Sequence, residues 1–367
     1  MNVAVRQPVA AQAQRLKVVD CDIHPTWRTP AELHPFMAER WREHMATFGT
    51  HFRHGLIGQL PFPRMMAGGM RVDSFPGDGP PGSDLDLMRR QHLDTNGVEV
   101  GMLIALSRGG MEERNLDFAA ALSSAANDWQ RECWVRPEPR LRAAIVVPQE
   151  HAEYAVAEIE KRASDPAFVQ VMISPRSSDP LGHRRYWPIY AAAERCNKPL
   201  ALHVVGYSGG HSSTGTGWPT YYLQEHYAMA TGMESTLASL VFEGVFERFP
   251  KLKVVLIEGG FAWAPALGWR MDKHWARMRA EVPHLKRPPS EYVREQVWFT
   301  TQPIEEPDDP EHLADIMRWV GWDRLMFSTD YPHWDFDDPR QAFKVRLTED
   351  QKANLFRDNA RALYGLA

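Results

Sequence analysis

The sequence predicts an α/β fold, a TIM (β/α)8 barrel, and three observations lead to this prediction. Eight short apolar runs recur along the chain, almost every run is followed by a helical pattern, and the runs are rich in aliphatic residues. Continuous apolar runs are typical of strands buried on both faces of a parallel sheet, and strand–helix alternation implies right-handed crossovers. Eight such units favour a closed barrel. A doubly wound open sheet is the alternative, but the chain contains neither a Walker A sequence nor an early dinucleotide-binding glycine motif.

The predicted elements alternate along the whole chain. The strands cover Val18–Asp22, Val98–Leu106, Leu141–Val147, Phe168–Ile173, Pro199–Val205, Lys251–Glu258, Gln296–Thr300 and Arg324–Asp330. The helices cover Pro30–Thr47, Asn115–Val135, Glu150–Ser164, Trp187–Cys196, Leu223–Phe249, Ala264–Arg279, Pro310–Val320 and Glu349–Tyr364. We assign residues 1–15 to a loose N-terminal tail and residues 16–367 to a single domain, because α/β barrels of this length are common.

An irregular insertion, residues 48–90, follows the first strand–helix unit. A connection of this length is uncommon in a compact domain unless it has a function. The apolar residues that would anchor it are Phe52, Phe62, Met65, Met66, Met70 and Phe75. We therefore expect the insertion to form a lid, a pocket wall or a subunit contact.

Composition and charge argue against several classes of protein. The chain of 367 residues carries a formal net charge of -5, so nothing indicates nucleic-acid binding. No apolar run approaches the roughly 20 residues that span a bilayer, so we expect no membrane segment. The three cysteines, Cys21, Cys133 and Cys196, are scattered, which argues against a disulfide framework and favours a cytoplasmic protein. Any metal must therefore be held by histidine and carboxylate side chains.

The first predicted strand ends in a cluster of polar residues. Asp20, Asp22 and His24 occupy alternate positions in an otherwise apolar run, and Pro25 ends it. Because side chains alternate between the faces of a strand, we expect these three to point the same way. A carboxylate and an imidazole on one face can bind one cation, although an ordinary strand end with a surface histidine would explain the same pattern.

Three later strands also end in ionisable residues. His203 lies at the end of the fifth strand, Glu258 at the end of the sixth and Asp330 at the end of the eighth. The carboxyl ends of the strands form the functional face of a TIM barrel, so we expect these residues to meet Asp22 and His24. Burying several unpaired charges is costly, and a divalent cation would hold three carboxylates and two imidazoles together. The sequence therefore predicts a metal site.

Four motifs carry a resemblance to a known family. They are Asp20–Pro25, Lys198–His203, Gly244–Lys253 followed by Glu258–Gly260, and Phe327–His333. On these motifs the chain resembles the amidohydrolase superfamily, and within it the branch that contains aminocarboxymuconate semialdehyde decarboxylase and the resorcylate-type decarboxylases. The resemblance implies that Asp22, His24, His203 and Asp330 are metal ligands.

Two departures from the family pattern bear on the chemistry. The first-strand pair is usually His-x-His and reads Asp22-Ile23-His24 here, and the sixth-strand motif is usually His-Gly-Gly and reads Glu258-Gly259-Gly260 here. The resemblance still implies a metal, and Glu258 is either a further ligand or a base. An oxygen-rich site accepts Zn²⁺, which we expect, and also suits Mn²⁺ or Fe²⁺. We expect the two glycines to let the substrate approach the backbone closely.

The function that we expect is hydrolysis of an amide, a lactone or a related carbonyl compound by a metal-activated water. In this mechanism His203 helps to hold the metal, Asp330 takes the proton from the water, and Glu258 orients the water or passes the proton on. The alternative is non-oxidative decarboxylation of an aromatic or muconate-type acid, which the family branch favours. A third interpretation is an iron-dependent oxygenase, whereas a binding scaffold would require the metal site to have decayed.

Four residues are candidates for contact with a small-molecule substrate. The resemblance implies that an arginine near Arg270 reaches a substrate carboxylate, sometimes across a dimer interface, and a surface salt bridge is the ordinary alternative. His226, Trp218 and Trp263 follow the fifth and sixth strands, where they would either line the pocket or belong to a helix and the core. The resemblance also implies a homodimer.

Overall fold

The computed structural model describes residues 17–49, 69–105, 109–111, 113–204, 217 and 219–366. In these residues eight parallel strands form one sheet in chain order. The strands are β1 (Val18–Ile23), β2 (Val98–Leu103), β3 (Leu141–Val146), β4 (Phe168–Ile173), β5 (Leu200–His203), β6 (Val254–Ile257), β7 (Val297–Thr300) and β8 (Leu325–Met326). The chain after β8 lies beside β1, because the backbone N–H of His24 donates to the carbonyl of Tyr331 at 2.8 Å. The TIM-barrel prediction is confirmed.

Helices cover the outside of the barrel. The α-helices are α1 (Glu39–Phe48), α2 (Leu85–Met88), α3 (Leu116–Trp129), α4 (Ala152–Arg162), α5 (Trp187–Arg195), α6 (Tyr222–Phe242), α7 (Val245–Arg248), α8 (Ala264–Met278), α9 (Pro289–Gln296), α10 (Pro310–Val320), α11 (Glu349–Ala353) and α12 (Asn359–Tyr364). Short 3-10 helices cover Pro30–Phe36, Val72–Ser74 and Arg184–Tyr186, and π-helical segments cover Arg89–Leu93, Gln130–Val135 and Asn354–Asp358. Within the described ranges, no helix is both long enough and apolar enough to cross a membrane.

Three helical predictions differ from the structure. The helix predicted over 30–47 is a 3-10 helix that contains Pro35, followed after a short break by α1; proline inside a helix removes a hydrogen bond and disfavours a continuous one. The helix predicted over 223–249 ends at Phe242, because Gly244 adopts a φ of 80° and precedes the separate α7. Helix α9 has no counterpart in the prediction.

The apolar core has two layers, as expected when both faces of each strand are buried. One layer fills the barrel interior and includes Val19, Cys21, Val146, Ala201 and Ile257. The larger layer packs the outer face of the strands against the helices.

A β-bulge in β1 sets the direction of its polar side chains. Two steps along β2, from Gly101 to Leu103, are matched by three steps along β1, from Asp20 to Ile23. Such an extra residue re-aims the side chains near it. Asp22 therefore turns to the carboxyl-end rim, and Asp20 does not share its direction. The prediction of one common face for the three polar residues of β1 is wrong.

Asp20 instead ties β1 to the segment after β8. Its carboxylate accepts hydrogen bonds from Thr329 N at 2.9 Å and Thr329 Oγ1 at 2.6 Å. It also lies 2.7 Å from His92 Nε2. The His92 ring stacks on Tyr331 with the ring centroids 4.7 Å apart. All four residues are buried, so this network fixes the two chain segments that supply Asp22 and Asp330.

The described part of the insertion, residues 69–90, packs on the segment after β8. Met70 forms an antiparallel bridge with His333, and Trp334 N donates to Gly69 O at 3.0 Å. This part therefore lies near the carboxyl-end rim, while its role as a lid or a subunit contact stays a prediction. Four expected anchors lie outside the described residues: Phe52, Phe62, Met65 and Met66.

Candidate metal centre

Four side chains from three strands converge at the carboxyl-end rim. Asp22 and His24 come from the bulged end of β1, His203 ends β5, and Glu258 directly follows β6. One ligand atom from each of them lies within 4.8 Å of the others, and we call these four residues the donor group. The structure thus brings together four of the five predicted metal ligands.

Several atoms of the donor group lack hydrogen bonds. His203 Nε2 lies 3.0 Å from Glu258 Oε2 and 3.5 Å from Asp22 Oδ2. Even so, both Asp22 carboxylate oxygens and His203 Nε2 are buried without a hydrogen-bond partner of good geometry among the described residues. Each unsatisfied buried group costs about 1–3 kcal/mol. A divalent cation would satisfy all three atoms, so these residues fit a metal ion.

Charges within the donor group stabilise one another. Burial raises the pKa of Asp22, but the charges of His24 and His203 outweigh burial and lower it. Burial lowers the pKa of His203, but the charges of the nearby Asp22 and Glu258 carboxylates raise it well above its usual value. A metal ion competes with the imidazole proton for the same nitrogen, so we expect metal binding to release that proton.

Asp330, the fifth predicted ligand, lies beside the donor group just after β8. Its Oδ1 is 2.7 Å from His24 Nε2 and 2.5 Å from His333 Nδ1. His24 Nδ1 lies 2.8 Å from the carbonyl of Ile104 and can only donate there, so Nε2 is the nitrogen available to a metal. Burial raises the pKa of Asp330 well above its usual value, and the charge of Glu258 adds to the rise.

Two of the carboxylates stand on strained backbone. Glu258 has a φ of 60° and Asp330 a φ of 62°. Residues other than glycine seldom adopt this left-handed conformation, and strain of this kind costs about 1–3 kcal/mol per residue. Such residues cluster at functional sites, so the strain after β6 and after β8 is a second indication that this rim is the site.

A hydrogen-bonded chain leads from Asp330 to the start of α6. Gln302, which follows β7, donates from Nε2 to Asp330 Oδ2 and to Asp335 Oδ2, each at 3.1 Å. His226 Nε2 lies 2.9 Å from the same Asp335 oxygen. The structure therefore links His226 to Asp330 by hydrogen bonds through two side chains, the carboxylate of Asp335 and the amide of Gln302.

The second nitrogen of His226 also faces a polar group. Tyr222 Oη lies 3.5 Å from His226 Nδ1 and accepts a hydrogen bond from Trp334 Nε1 at 3.0 Å. Burial raises the pKa of the Tyr222 hydroxyl to about 12, so it stays protonated at neutral pH. Both sides of the His226 ring are thus held by neighbouring side chains.

The three other candidate substrate contacts lie in different places. Trp263 is partly buried and donates from Nε1 to the Gly259 carbonyl at 2.8 Å. Arg270 is exposed on α8, where Glu234 of α6 is a charged neighbour, and it is not part of the buried donor group. Trp218 lies outside the described residues.

The second glycine after Glu258 has a structural use. A Cβ atom at Gly260 would lie 2.5 Å from Glu305 Oε1. That oxygen accepts hydrogen bonds from the backbone of Phe261 at 3.2 Å and Ala262 at 3.0 Å. The close approach at Gly260 is therefore made by Glu305, while the approach of the substrate to the backbone of the two glycines stays a prediction.

Substitution of Asp337 by asparagine is expected to stabilise the protein more at pH 8 than at pH 5. Burial, with the nearby acidic residues Asp335, Glu306 and Glu305, raises the pKa of Asp337 from 3.8 to about 7. Between these values the folded chain keeps a proton that the unfolded chain releases, so the free energy of unfolding falls as the pH rises. Asparagine removes this loss, on the order of 1–4 kcal/mol at pH 8. Urea unfolding at both pH values measures the free energy of unfolding of the wild type and the variant. An equal gain in this free energy at pH 5 and pH 8 would contradict the prediction.

Sequence analysis missed Gln302 and Asp335. Gln302 lies two residues after the end of β7, so a search of the residues just beyond each strand end would have found it. Asp335 lies in the loop after β8, and no periodic pattern marks it.

Comparison with known proteins adds to this geometry. The family model described as amidohydrolase matches residues 19–366. Gamma-resorcylate decarboxylase from Polaromonas sp. strain JS666 is 25% identical over 301 residues, which are 77% of this chain and 88% of that protein. For 2-amino-3-carboxymuconate-6-semialdehyde decarboxylase from Dictyostelium discoideum, the identity is 26% over 186 residues, 49% of this chain and 48% of that protein.

A solved structure shares the fold. It is 5-carboxyvanillate decarboxylase from Novosphingobium aromaticivorans with bound manganese, and its TM-score is 0.72 over 95% of this chain and 97% of that chain. At 18% identity this likeness supports the barrel architecture alone.

The relatives overturn the prediction of amide or lactone hydrolysis. Both matched proteins carry the names of decarboxylases, so they favour the alternative interpretation, and neither supports an iron oxygenase. The donor group and the motifs of the strand ends agree with the family match. Since that match spans residues 19–366, the chain belongs to the amidohydrolase family, in the branch of the resorcylate and aminocarboxymuconate semialdehyde decarboxylases.

Proposed function

We propose that this protein is a metal-dependent decarboxylase that removes the carboxyl group of an aromatic acid without oxidation. The observation that carries the proposal is the position of Asp330, a fully buried acid in contact with His24 of the donor group. Support for the reaction comes from the relatives, which include gamma-resorcylate decarboxylase at 25% identity over 77% of the chain.

In this proposal the donor group, Asp22, His24, His203 and Glu258, holds a divalent metal ion. The unpaired buried atoms of Asp22 and His203 support this assignment. When bound, the ion supplies positive charge that attracts the oxygen atoms of the substrate. We favour manganese over the zinc expected from the sequence, because carboxylate ligands suit Mn²⁺ and the 5-carboxyvanillate decarboxylase structure holds manganese.

Asp330 is the acid of the proposed reaction. It gives its proton to the ring carbon that bears the carboxylate. The bond from that carbon to the carboxylate then breaks, its electron pair restores the aromatic ring, and carbon dioxide leaves. Asp330 is left ionised and regains a proton from solvent, so each turnover consumes one proton and neither water nor dioxygen. His333, in contact with Oδ1, keeps the carboxyl group in place, since the Nε2 of His24 would be occupied by the metal ion.

Carbon dioxide release with metal removal tests this proposal. We expect the manganese-loaded protein to release carbon dioxide from at least one acid of a panel that includes gamma-resorcylate and 5-carboxyvanillate. Treatment with a chelator should abolish the release, and Mn²⁺ should restore it, because the unpaired donor atoms need the cation. Release of no carbon dioxide from any acid by metal-loaded protein would contradict the proposal.

Elemental analysis of the same preparations checks the donor group. Glu258→Gln is expected to carry less manganese than the wild type, since glutamine keeps the size of the side chain and removes its charge. Glu305→Gln is the matched control, because Glu305 binds the backbone of Phe261 and Ala262 instead of facing the donors. Equal metal contents in the two variants would remove Glu258 from the donor group.

A further inference from the structure

Gln302 occupies an unusual position between two carboxylates. It is fully buried, and its Nε2 donates to one oxygen of Asp330 and one of Asp335, each at 3.1 Å. Its own Oε1 is buried and has no hydrogen-bond partner among the residues that the structure describes. The amide therefore uses its donors fully and leaves its acceptor unsatisfied, an arrangement that costs stability unless it has a use.

The orientation of this amide follows from its neighbours. The oxygen and the nitrogen of a side-chain amide are told apart by their hydrogen-bond partners. With the amide turned over, Oε1 would face the ionised oxygen of Asp335, which is a repulsive contact. Asp335 is kept ionised because, although burial raises its pKa, the hydrogen bond and the charge of His226 lower it below the usual value. An ionised Asp335 therefore holds the Nε2 group of Gln302 towards Asp330.

The contacts of Asp330 are divided between its two oxygens. Oδ1 meets His24 and His333, whereas Oδ2 meets the amide of Gln302. Removal of the Gln302 contact would take from Oδ2 its hydrogen-bond donor, so the carboxyl group would be held from one side alone. A carboxyl group held at one oxygen can rotate about its bond to Cβ. A rotation that moves its oxygen atoms by a fraction of an ångström changes the direction of proton transfer.

We infer that Gln302 is a positioning residue, supported by Asp335 and His226, that fixes the rotation of the Asp330 carboxyl group towards the reacting carbon of the substrate. The inference rests on the proposed function, in which Asp330 is the acid. It also assigns a use to His226, which reaches Asp330 through Asp335 and Gln302 instead of binding the metal. Helix α6 and the loop after β8 thereby act together on one catalytic group.

Replacement of Gln302 by methionine tests the inference. Methionine has a similar length and no hydrogen-bond donor. For the panel acid that the wild type converts fastest, we expect kcat to fall ~10–100-fold with KM changed less than ~3-fold, as for a misdirected reacting group. The manganese content should stay at the wild-type level, and a crystal structure of the metal-loaded variant should show the Asp330 carboxyl group rotated.

Gln149→Met is the matched control. Gln149 is also a buried glutamine that follows a barrel strand, but its amide contacts the backbone of Ser174 and does not reach Asp330. We expect this variant to lose stability, because buried hydrogen bonds are removed. Its kcat should stay within ~3-fold of the wild type, because the contacts of Asp330 are unaltered. Equal loss of kcat in both variants would overturn the inference, as would an unrotated Asp330 with unchanged kcat in Gln302→Met.

Two further arms keep the outcomes distinct. Should Gln302→Met not fold, Asp335→Asn removes the charge that holds the amide from the other side, and the same kcat loss and the same rotation are expected; wild-type kcat and orientation there would overturn the inference. Should the wild type release no carbon dioxide, the proposed function fails and the crystal structures alone decide. A rotated Asp330 then supports the positioning role, and an unrotated one refutes it.

Discussion

The Asp330→Asn variant is expected to release carbon dioxide about 10²–10⁴ times more slowly than the wild type, the range for loss of a general acid. Asparagine matches the size of aspartate and keeps an oxygen that can accept hydrogen bonds, so the local packing should survive. It cannot give up a proton to the ring carbon. Steady-state release of carbon dioxide from the preferred acid measures the effect, with the melting temperature recorded beside it to confirm the fold.

Asp337→Asn is the control for this experiment. It makes the same chemical change in the loop that follows Asp330, and Asp337 binds the backbone N–H of Ile304 at 3.2 Å rather than the donor group. We expect its rate to stay near that of the wild type. If Asp330→Asn kept its rate within about tenfold of the wild type, the loss would be smaller than a general acid supplies, and another group would have to provide the proton.

Substitution of Asp20 by alanine is expected to lower the free energy of unfolding by about 3–5 kcal/mol, because several buried donors lose their acceptor and each unsatisfied group costs about 1–3 kcal/mol. The change would leave His92 buried opposite a missing carboxylate and would take the acceptor from Thr329. Because Asp20 also accepts from the backbone N–H of Asp22 at 3.2 Å, the site should be affected together with the fold. Urea unfolding measures the loss of stability.

Asp20→Asn provides the graded comparison. Asparagine retains an oxygen for the backbone N–H groups of Asp22 and Thr329, but it lacks the charge that faces His92. We expect a loss of stability between those of the wild type and the alanine variant. A loss below about 1 kcal/mol for Asp20→Ala would show that the buried network contributes no more than a typical hydrogen bond.

Most of the fold could be predicted because the strands are specified by local sequence. Segments such as Val254–Ile257 are apolar along their whole length, and burial on both faces produces that pattern in any parallel barrel. The bulge in β1 could not be predicted in this way. Its existence depends on the pairing of Asp20 and Ile23 with residues of β2, which are far away in the sequence, so simple alternation assigned Asp20 to the wrong face.

The candidate site was predictable to a similar extent. His203 and Glu258 end apolar runs, and the geometry of a barrel brings strand ends together. The partners of Asp330 were harder to foresee, because Gln302 and Asp335 are selected by their distances in the folded chain. The reaction could not be derived from these residues, since one metal with carboxylates and imidazoles serves hydrolysis and decarboxylation alike. The presence of Glu258 at a strand end therefore does not by itself indicate hydrolysis.

The left-handed backbone at Glu258 restricts which side chains this position accepts. At a φ of 60°, bulky β-branched residues are strongly disfavoured, whereas histidine is enriched among the side chains that accept the conformation. The glutamate found here and a histidine at the same position are therefore both compatible with this backbone geometry. A laboratory lineage selected for an imidazole at position 258 would begin with reduced conformational strain, and the loop would need no redesign to accommodate it.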